Sequence, residues 1–387
     1  MDFDLNDEHE LIRQTARRLA RDVIAPRAAE VDATSEYPED YFQAFKDAEL
    51  LGITLPTEVG GADAGTMALT LAVEEVAKYD CSAGLILLLS SLSTHTVKFF
   101  GTDEQKQSYI GPVARGEKKA AFCLTEPDAG SDVGNLQTRA LRDGDEYVIS
   151  GQKCYISAGP IADQLVVFAK TEPDNPRSLN AFLVDTNMPG FEVTSIDRKM
   201  GVRGVPTGVL TFDEVRVPAD HIVGGEEGLG MRGPLATLNS LRPVVGARGV
   251  GLAEGAMVYA LDFARERRAF GGPLTDLQAI QMKFADMAID IEAARLLVYQ
   301  GSWLVDQGRY GPEESHMLSV AKAFATESAN RVASEALQIL GGQGYMMDHP
   351  LERHYRDARQ LMIEEGTSEI QRVVIARALL DRNMVYA

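Results

Sequence analysis

Between Ala120 and Gly228 the chain leaves the helical rhythm that dominates both of its ends. Five short runs, DEYVISGQK, QLVVFAK, NAFLVD, GFEVTSI and GVLTFDEVRVP, are rich in Val, Phe, Tyr and Thr and are separated by Gly, Pro, Asn and Asp, which is strand punctuation. The segment Arg142–Glu146 adds an Asp-Gly hairpin signal. A β block framed by helices restricts the fold to a few layered arrangements. The pattern predicts an α+β multidomain chain: a helical domain over 1–119, a middle β domain over 120–228 and a helical bundle over 229–387.

Upstream of the β block, Leu11, Ile12, Leu19, Val23 and Ile24 predict one amphipathic helix from Asn6 to about Glu30, with Asp7 and Glu8 where the helix dipole favours anions. Further helices are expected in YPEDYFQAFKDAELLGI, in GTMALTLAVEEVAKYD and from Ser82 to Phe100. Downstream of GGEEGLGM the chain reads as long helices to its end, and their Ala, Leu and Met stripes imply mutual packing.

Charge narrows the function. The 57 acidic and 38 basic residues give a net charge of −19, which disfavours nucleic-acid or anionic-membrane binding, because both rest on clustered Lys and Arg. No run reaches the roughly 18 consecutive apolar residues of a membrane span. Cys81, Cys123 and Cys154 are odd in number and widely spaced, with no CxxC and no His at ligand spacing. They read as reduced packing residues rather than a metal site, in a cytoplasmic protein or a mature form that has lost a targeting segment.

Four segments carry chemistry-bearing residues. FCLTEPDAGSD, Phe122 to Asp132, runs from an apolar start into Thr125, Glu126 and Ser131, more polar groups than a turn needs. QILGGQGY, Gln338 to Tyr345, offers glycines that let backbone approach a ligand, although taken alone it reads first as a helix C-cap followed by a turn. IEEGTSEIQR places Glu365 at the mouth of a loop opening a new helix, where a carboxylate can act as a general base; the bland alternative is a pair of solvated glutamates near a cap. FARERRAFGGPL clusters Arg265, Arg267 and Arg268, a phosphate clamp or simply the polar end of a helix. Arg242 in NSLRPVV is ambiguous in the same way.

Together, CLTEPDAGSD, GQKCYISAG, ERRAFG, QILGGQGY and EGTSEIQR fall in the order and approximate spacing of the acyl-CoA dehydrogenase family, and the resemblance spans essentially the whole chain. Through ERHYRDAR, Glu352 to Arg359, it resembles the short-chain members most. The resemblance implies an N-terminal α-helical domain, a β-barrel-like middle domain and a C-terminal four-helix bundle. It also implies non-covalent FAD, a homotetramer, an acyl-CoA substrate, electron-transferring flavoprotein as acceptor, and a place in fatty-acid β-oxidation.

Residue by residue, the resemblance implies that Phe122, Leu124, Thr125, Gly130 and Ser131 lie along the flavin, with Ser131 also near the pantetheine. Tyr155, Ile156 and Ser157 would cover the other side of the ring. Arg267, Phe270, Gln278, Gln338, Ile339, Gly341 and Gly342 would hold the dinucleotide across a subunit interface, and Gly366, Thr367, Ser368 and Glu369 would cap it at a helix N-terminus. Glu365 matches the base that removes the α-proton, with Asn239, Arg242 and Gly366 beside the substrate. Some branches carry the base immediately before the arginine, where this chain has Leu241, which cannot accept a proton.

Three departures stand out: Glu364 replaces the aromatic residue that often precedes the base, Tyr155 replaces a tryptophan, and Asn135 a small residue. Gly84 aligns with the arginine that binds a distal carboxylate in glutaryl-CoA dehydrogenases, so the expected acyl chain is uncharged and short or medium. The same fold also serves enoyl-CoA reduction, acyl-CoA oxidation by oxygen, carrier-tethered acyl dehydrogenation and, in a different class, a non-catalytic nucleic-acid-binding role that the acidic charge disfavours.

Overall fold

The computed structural model describes residues 5–380. The N-terminal third is helical: α1 Asp7–Leu19, α2 Ala28–Thr34, α3 Glu39–Asp47, α4 Gly65–Ala77, α5 Cys81–Leu92, α6 His95–Phe100 and the short α7 Asp103–Gln105 and α8 Gly111–Ala114. Asn6 caps α1, its side chain accepting from the His9 amide at 2.7 Å. The single helix predicted to Glu30 is instead two. Pro26 lacks the amide that would continue the ladder, so α1 loosens through a π turn at Ala20–Ile24 and α2 restarts at Ala28. The predicted helix from Ser82 to Phe100 is likewise split, where the Ser93 and Thr94 hydroxyls donate back to the Leu89 and Ser90 carbonyls at 2.8 and 2.6 Å.

The middle of the chain forms a curled seven-stranded sheet: β1 Ala120–Cys123, β2 Arg139–Asp143, β3 Glu146–Ser157, β4 Gln164–Lys170, β5 Leu179–Asp185, β6 Phe191–Ile196 and β7 Thr207–Pro218. The order is β1-β4-β2-β3-β7-β6, with β5 also on β4. The Asp-Gly signal becomes the β2–β3 hairpin, closed by the Asp143–Glu146 pair with Gly144 at φ 65°. A break in register between Lys153 and Ile156 on β3 turns Tyr155 outward at φ 57°.

The C-terminal third contains α9 Arg232–Glu266, α10 Gln278–Asp306, α11 Ser315–Leu340, α12 Leu351–Leu361 and α13 Ser368–Leu380. It is not helical throughout, as the sequence predicted. Phe270 and Gly271, both at positive φ, turn a small hairpin of β8 Arg268–Ala269 and β9 Gly272–Pro273 between α9 and α10.

One large apolar cluster joins α4 and α5 to α9, α10 and α11. Glycine makes this close contact possible. A Cβ on Gly251 or Gly255 of α9 would overlap the carbonyl oxygens of Glu74 and Lys78 on and beside α4. Two helical stretches, Cys81–Phe100 and Arg232–Glu266, are long and apolar enough on average to cross a membrane, although neither is an unbroken apolar run. Their most apolar windows are 78% and 67% buried inside the fold, as core helices are.

Candidate active site

The loop from α12 to α13 reverses the chain with two consecutive left-handed residues, Glu365 at φ 49° and Gly366 at φ 93°. Holding a non-glycine residue there costs on the order of 1–3 kcal/mol, so neighbouring groups must fix it. Lys322 on α11 is fully buried and donates from Nζ to the Gly366 carbonyl at 2.9 Å. Gln371 on α13 donates from Nε2 to the carbonyls of Gly366 at 2.9 Å and Glu365 at 3.2 Å. Thr367 caps α13, its hydroxyl accepting from the Ile370 amide at 3.3 Å.

Glu365 carries Oε2 buried and, among the described residues, without a partner, which is unusual for a carboxylate. Burial pushes its proton affinity up and neighbouring Glu364 adds to this, while Lys322, Arg248 and Arg242 pull the other way; the result is a carboxyl at about 8. Glu364 is not a solvated charge. Its carboxylate pairs with the fully buried Arg248 guanidinium of α9.

Arg242, six residues earlier on α9, is buried and donates from Nη1 to the Ser319 hydroxyl at 2.9 Å, leaving Nε without a partner among the described residues. Burial lowers it to about 10, against the pull of Glu365. Pro243 supplies no amide, so the Asn239 carbonyl loses its helical donor. The Asn239 side chain donates to the Tyr310 carbonyl at 3.1 Å. Leu241 is in the core.

In the middle domain, the Phe122–Asp132 loop is fixed from beneath by an ion pair that sequence reasoning missed. Lys153 on β3 is fully buried and donates to Glu126 Oε1 at 2.7 Å and to the Leu124 carbonyl at 3.0 Å. Glu126 also accepts from the Gln137 and Thr138 amides at 2.6 and 3.0 Å. Burial pushes its carboxyl up, but Lys153 and these bonds outweigh it, and the group stays below the usual range. Glu126 is therefore a structural anchor, whereas the hydroxyls of Thr125, Ser131 and Ser157 make no hydrogen bond among the described residues. The Cys154 amide donates to the Thr125 carbonyl at 3.0 Å, which joins the loop to β3. Asn135 stiffens the same loop by donating to the Asp128 carbonyl at 3.3 Å.

Leu124, Ile156 and Ile339 have buried side chains in the apolar clusters, so a ligand would meet their backbone. Tyr155 is 70% and Phe270 94% exposed. Arg267, Gln278 and Gln338 are exposed, and a Cβ on Gly130, Gly341 or Gly342 would meet nothing within 4 Å. Glu369 faces solvent on the first turn of α13. The structure thus sets Arg242 near Glu365 and Gly366, and joins the Thr125 loop to the stretch of β3 that carries Tyr155 and Ser157. The Arg267–Gln278 and Gln338–Gly342 segments stand on open surface.

Family models match consecutive parts of the chain: acyl-CoA dehydrogenase N-terminal domain over residues 6–117, middle domain over 121–215 and C-terminal domain over 228–380. The chain belongs to the acyl-CoA dehydrogenase family. It is an oxidoreductase of that family, similar along its whole length to other members. A probable acyl-CoA dehydrogenase of Bacillus subtilis, YngJ, is 43% identical over 98% of this chain and 100% of its own. An NADH-dependent acryloyl-CoA reductase of Anaerotignum propionicum is 41% identical over 99% and 97%. The structure of butyryl-CoA dehydrogenase from Megasphaera elsdenii superposes with a TM-score of 0.94, at 36% identity over 98% and 100% of the two chains.

A flavin fits the residues present. Free hydroxyls on Thr125, Ser131 and Ser157 and an outward Tyr155 provide polar edges and an aromatic face beside a rigid loop. Open glycine backbone at Gly341 and Gly342 suits a phosphate or a ring edge.

Proposed function

We propose that the protein removes a proton from Cα and a hydride from Cβ of an acyl-CoA thioester to give the trans-2-enoyl-CoA, with Glu365 as the base. The observation that carries this is a half-buried carboxyl of raised proton affinity, held in a strained loop with Oε2 buried and without a partner among the described residues. Such a group exchanges a proton close to neutral pH rather than serving as a salt-bridge anchor of the fold.

FAD, when bound, supplies the hydride acceptor. The chain's own residues do the rest. The Glu365 amide has no acceptor among the described residues, so it is free to donate to the thioester carbonyl as negative charge develops there. Arg242 keeps Nε for CoA or its carbonyl groups. A side chain on Gly84 would come within 3.1 Å of Arg248 Cγ, and Arg248 is already paired with Glu364. Neither position is then free to take a distal carboxylate, which supports an uncharged, short or medium acyl group.

Self-association is supported by α10. Met282, Ile289, Leu296 and Trp303, one heptad apart, are all at least half exposed and form an apolar stripe on an outer face. We read it as part of a homotetramer in which Arg267, Phe270, Gln278 and the Gln338–Gly342 loop reach a neighbour's FAD. Arg267→Ala is expected to lower FAD retention after gel filtration several-fold. A fully loaded, fully assembled variant would remove the cross-subunit phosphate role. The electron acceptor in this reading is electron-transferring flavoprotein, and the compartment is the cytoplasm, in keeping with three buried free thiols.

The test is an anaerobic titration of the purified yellow protein with saturated acyl-CoAs of increasing length. Bleaching of the flavin band by one of them supports the reading and ranks chain lengths. A second reading runs the same chemistry backwards, and the 41% identity to an acryloyl-CoA reductase favours it. Its signature is a loaded flavin that no acyl-CoA bleaches but that, once reduced, an enoyl-CoA reoxidises.

A further inference from the structure

We infer that Arg248 and Lys322 are positioning residues that clamp the base loop on either flank of Glu365, Arg248 through the Glu364 side chain and Lys322 through the Gly366 carbonyl, and so fix where the base points. This rests on the reading of Glu365 as the base. Neither cation is explained by ordinary packing. Both are fully buried, and a buried charge is costly unless it is paired and hydrogen-bonded.

Arg248 draws three elements to one point. Its Nη1 pairs with Glu364 of the base loop, and its Nη2 donates to the Cys81 carbonyl of α5 at 3.3 Å and to Gln360 of α12 at 3.2 Å. The chain makes room for this stem. Gly84 on α5 leaves the space in which a Cβ would press on Arg248 Cγ at 3.1 Å. Lys322 has three donors and spends one on Gly366, its single hydrogen-bond partner among the described residues. Burial lowers the ammonium to about 8, against the pull of Glu364, of Glu365 when ionised, and of Glu327.

Between these two anchors the backbone passes through Glu365 and Gly366 in conformations it would otherwise leave. The charged groups facing Glu365 are Glu364 from its own loop, Lys322 from α11, and Arg248 and Arg242 from α9. Arg242 makes no hydrogen bond to the loop; it holds Ser319. The cations of the clamp are therefore Arg248 and Lys322, with the neutral Gln371 amide sharing the Gly366 carbonyl.

The experiment uses the holoenzyme and compares Arg248→Met/Glu364→Leu, Lys322→Met and Lys322→Arg with the parent. It reads thermal melting, the anaerobic bleaching rate against pH with butanoyl- to octanoyl-CoA, and the infrared carboxyl band assigned by difference with Glu365→Gln. Removing both members of the Arg248–Glu364 pair deletes no net charge. A merely structural pair would then leave bleaching at the parental rate, as replacing a buried pair by apolar residues often leaves stability intact.

The clamp predicts instead a variant that melts near the parent and bleaches about 10²-fold slower, since misplacing a reacting group by an ångström costs about that much. Lys322→Met removes a cation and should move the Glu365 band midpoint to higher pH. Lys322→Arg keeps the charge but not the geometry, and should hold the midpoint while slowing bleaching. Parental bleaching in the double variant, or an unmoved midpoint in Lys322→Met, overturns the assignment. If no acyl-CoA bleaches the parent, the dehydrogenation reading fails by itself. The rate at which an enoyl-CoA reoxidises the reduced flavin then tests the clamp in its place.

Discussion

Glu365→Gln is expected to stay yellow, to melt close to the parent, and to lose about 10²–10⁴-fold in the rate at which an acyl-CoA bleaches the flavin, the usual worth of a positioned general base. The amide keeps the volume of the side chain and the left-handed backbone at φ 49°, and removes only the capacity to take a proton. Normal bleaching would end the assignment. Glu364 would then be the remaining carboxylate, at the expense of its pair with Arg248.

The pH dependence follows from the same group. Burial, then Glu364, raise the Glu365 carboxyl to about 8, so the free enzyme holds it protonated below that pH and kcat/KM should climb as pH rises towards 8. The sign for stability is opposite. A carboxyl whose native proton affinity exceeds its ordinary value of 4.5 binds more protons folded than unfolded, so its contribution to stability falls between about pH 4.5 and 8. Measuring melting and kcat/KM across that window should show the two trends crossing. A flat rate profile would contradict the protonated resting base.

Glu126→Leu is the second large expected effect, and it concerns folding rather than chemistry. It would strand the Lys153 ammonium in the sheet core and leave the Gln137 and Thr138 amides without an acceptor. Removing one member of a buried pair costs about 3–5 kcal/mol. Burial already lowers the Lys153 ammonium against the support of Glu126, so without that support the lysine would be driven towards its neutral form. Chemical denaturation should show the loss, and Glu126→Leu/Lys153→Met should recover most of it. A single variant as stable as the parent would mean that Lys153 finds another partner or that water reaches it.

Much of this was legible in the chain, and the failures share a physical cause. The strand block, the Asp-Gly hairpin and the loop at Glu365 follow from local composition and motif order. The helix expected from Asn6 to Glu30 is broken because Pro26 interrupts the amide ladder while the apolar periodicity runs on past it. The β8–β9 hairpin escaped because its turn opens with Phe270, a residue that does not advertise a positive φ. Arg248 and Lys322 sit in VVGARGVG and SVAKAFA, runs of small apolar residues with one cation each. A charge on an otherwise apolar helix face was the available signal, and its meaning depended on Glu364 and Gly366 more than forty residues further on. Glu126 stands out for its setting, but whether it serves a ligand or the fold depends on Lys153, on the distant strand β3.

The near-contact of α9 with α4 at Gly251 and Gly255 has an evolutionary consequence. Family models divide the chain into parts, yet the first and last share a seam that admits no β-carbon on one side. An N-terminal segment borrowed from a relative would have to bring a matching α9 surface with it. Exchange between such proteins should therefore succeed for the middle sheet or for surface loops, and fail for the N-terminal helices taken alone. Lineages of this fold would then diversify by substitution around a fixed helical frame rather than by reassortment of its pieces.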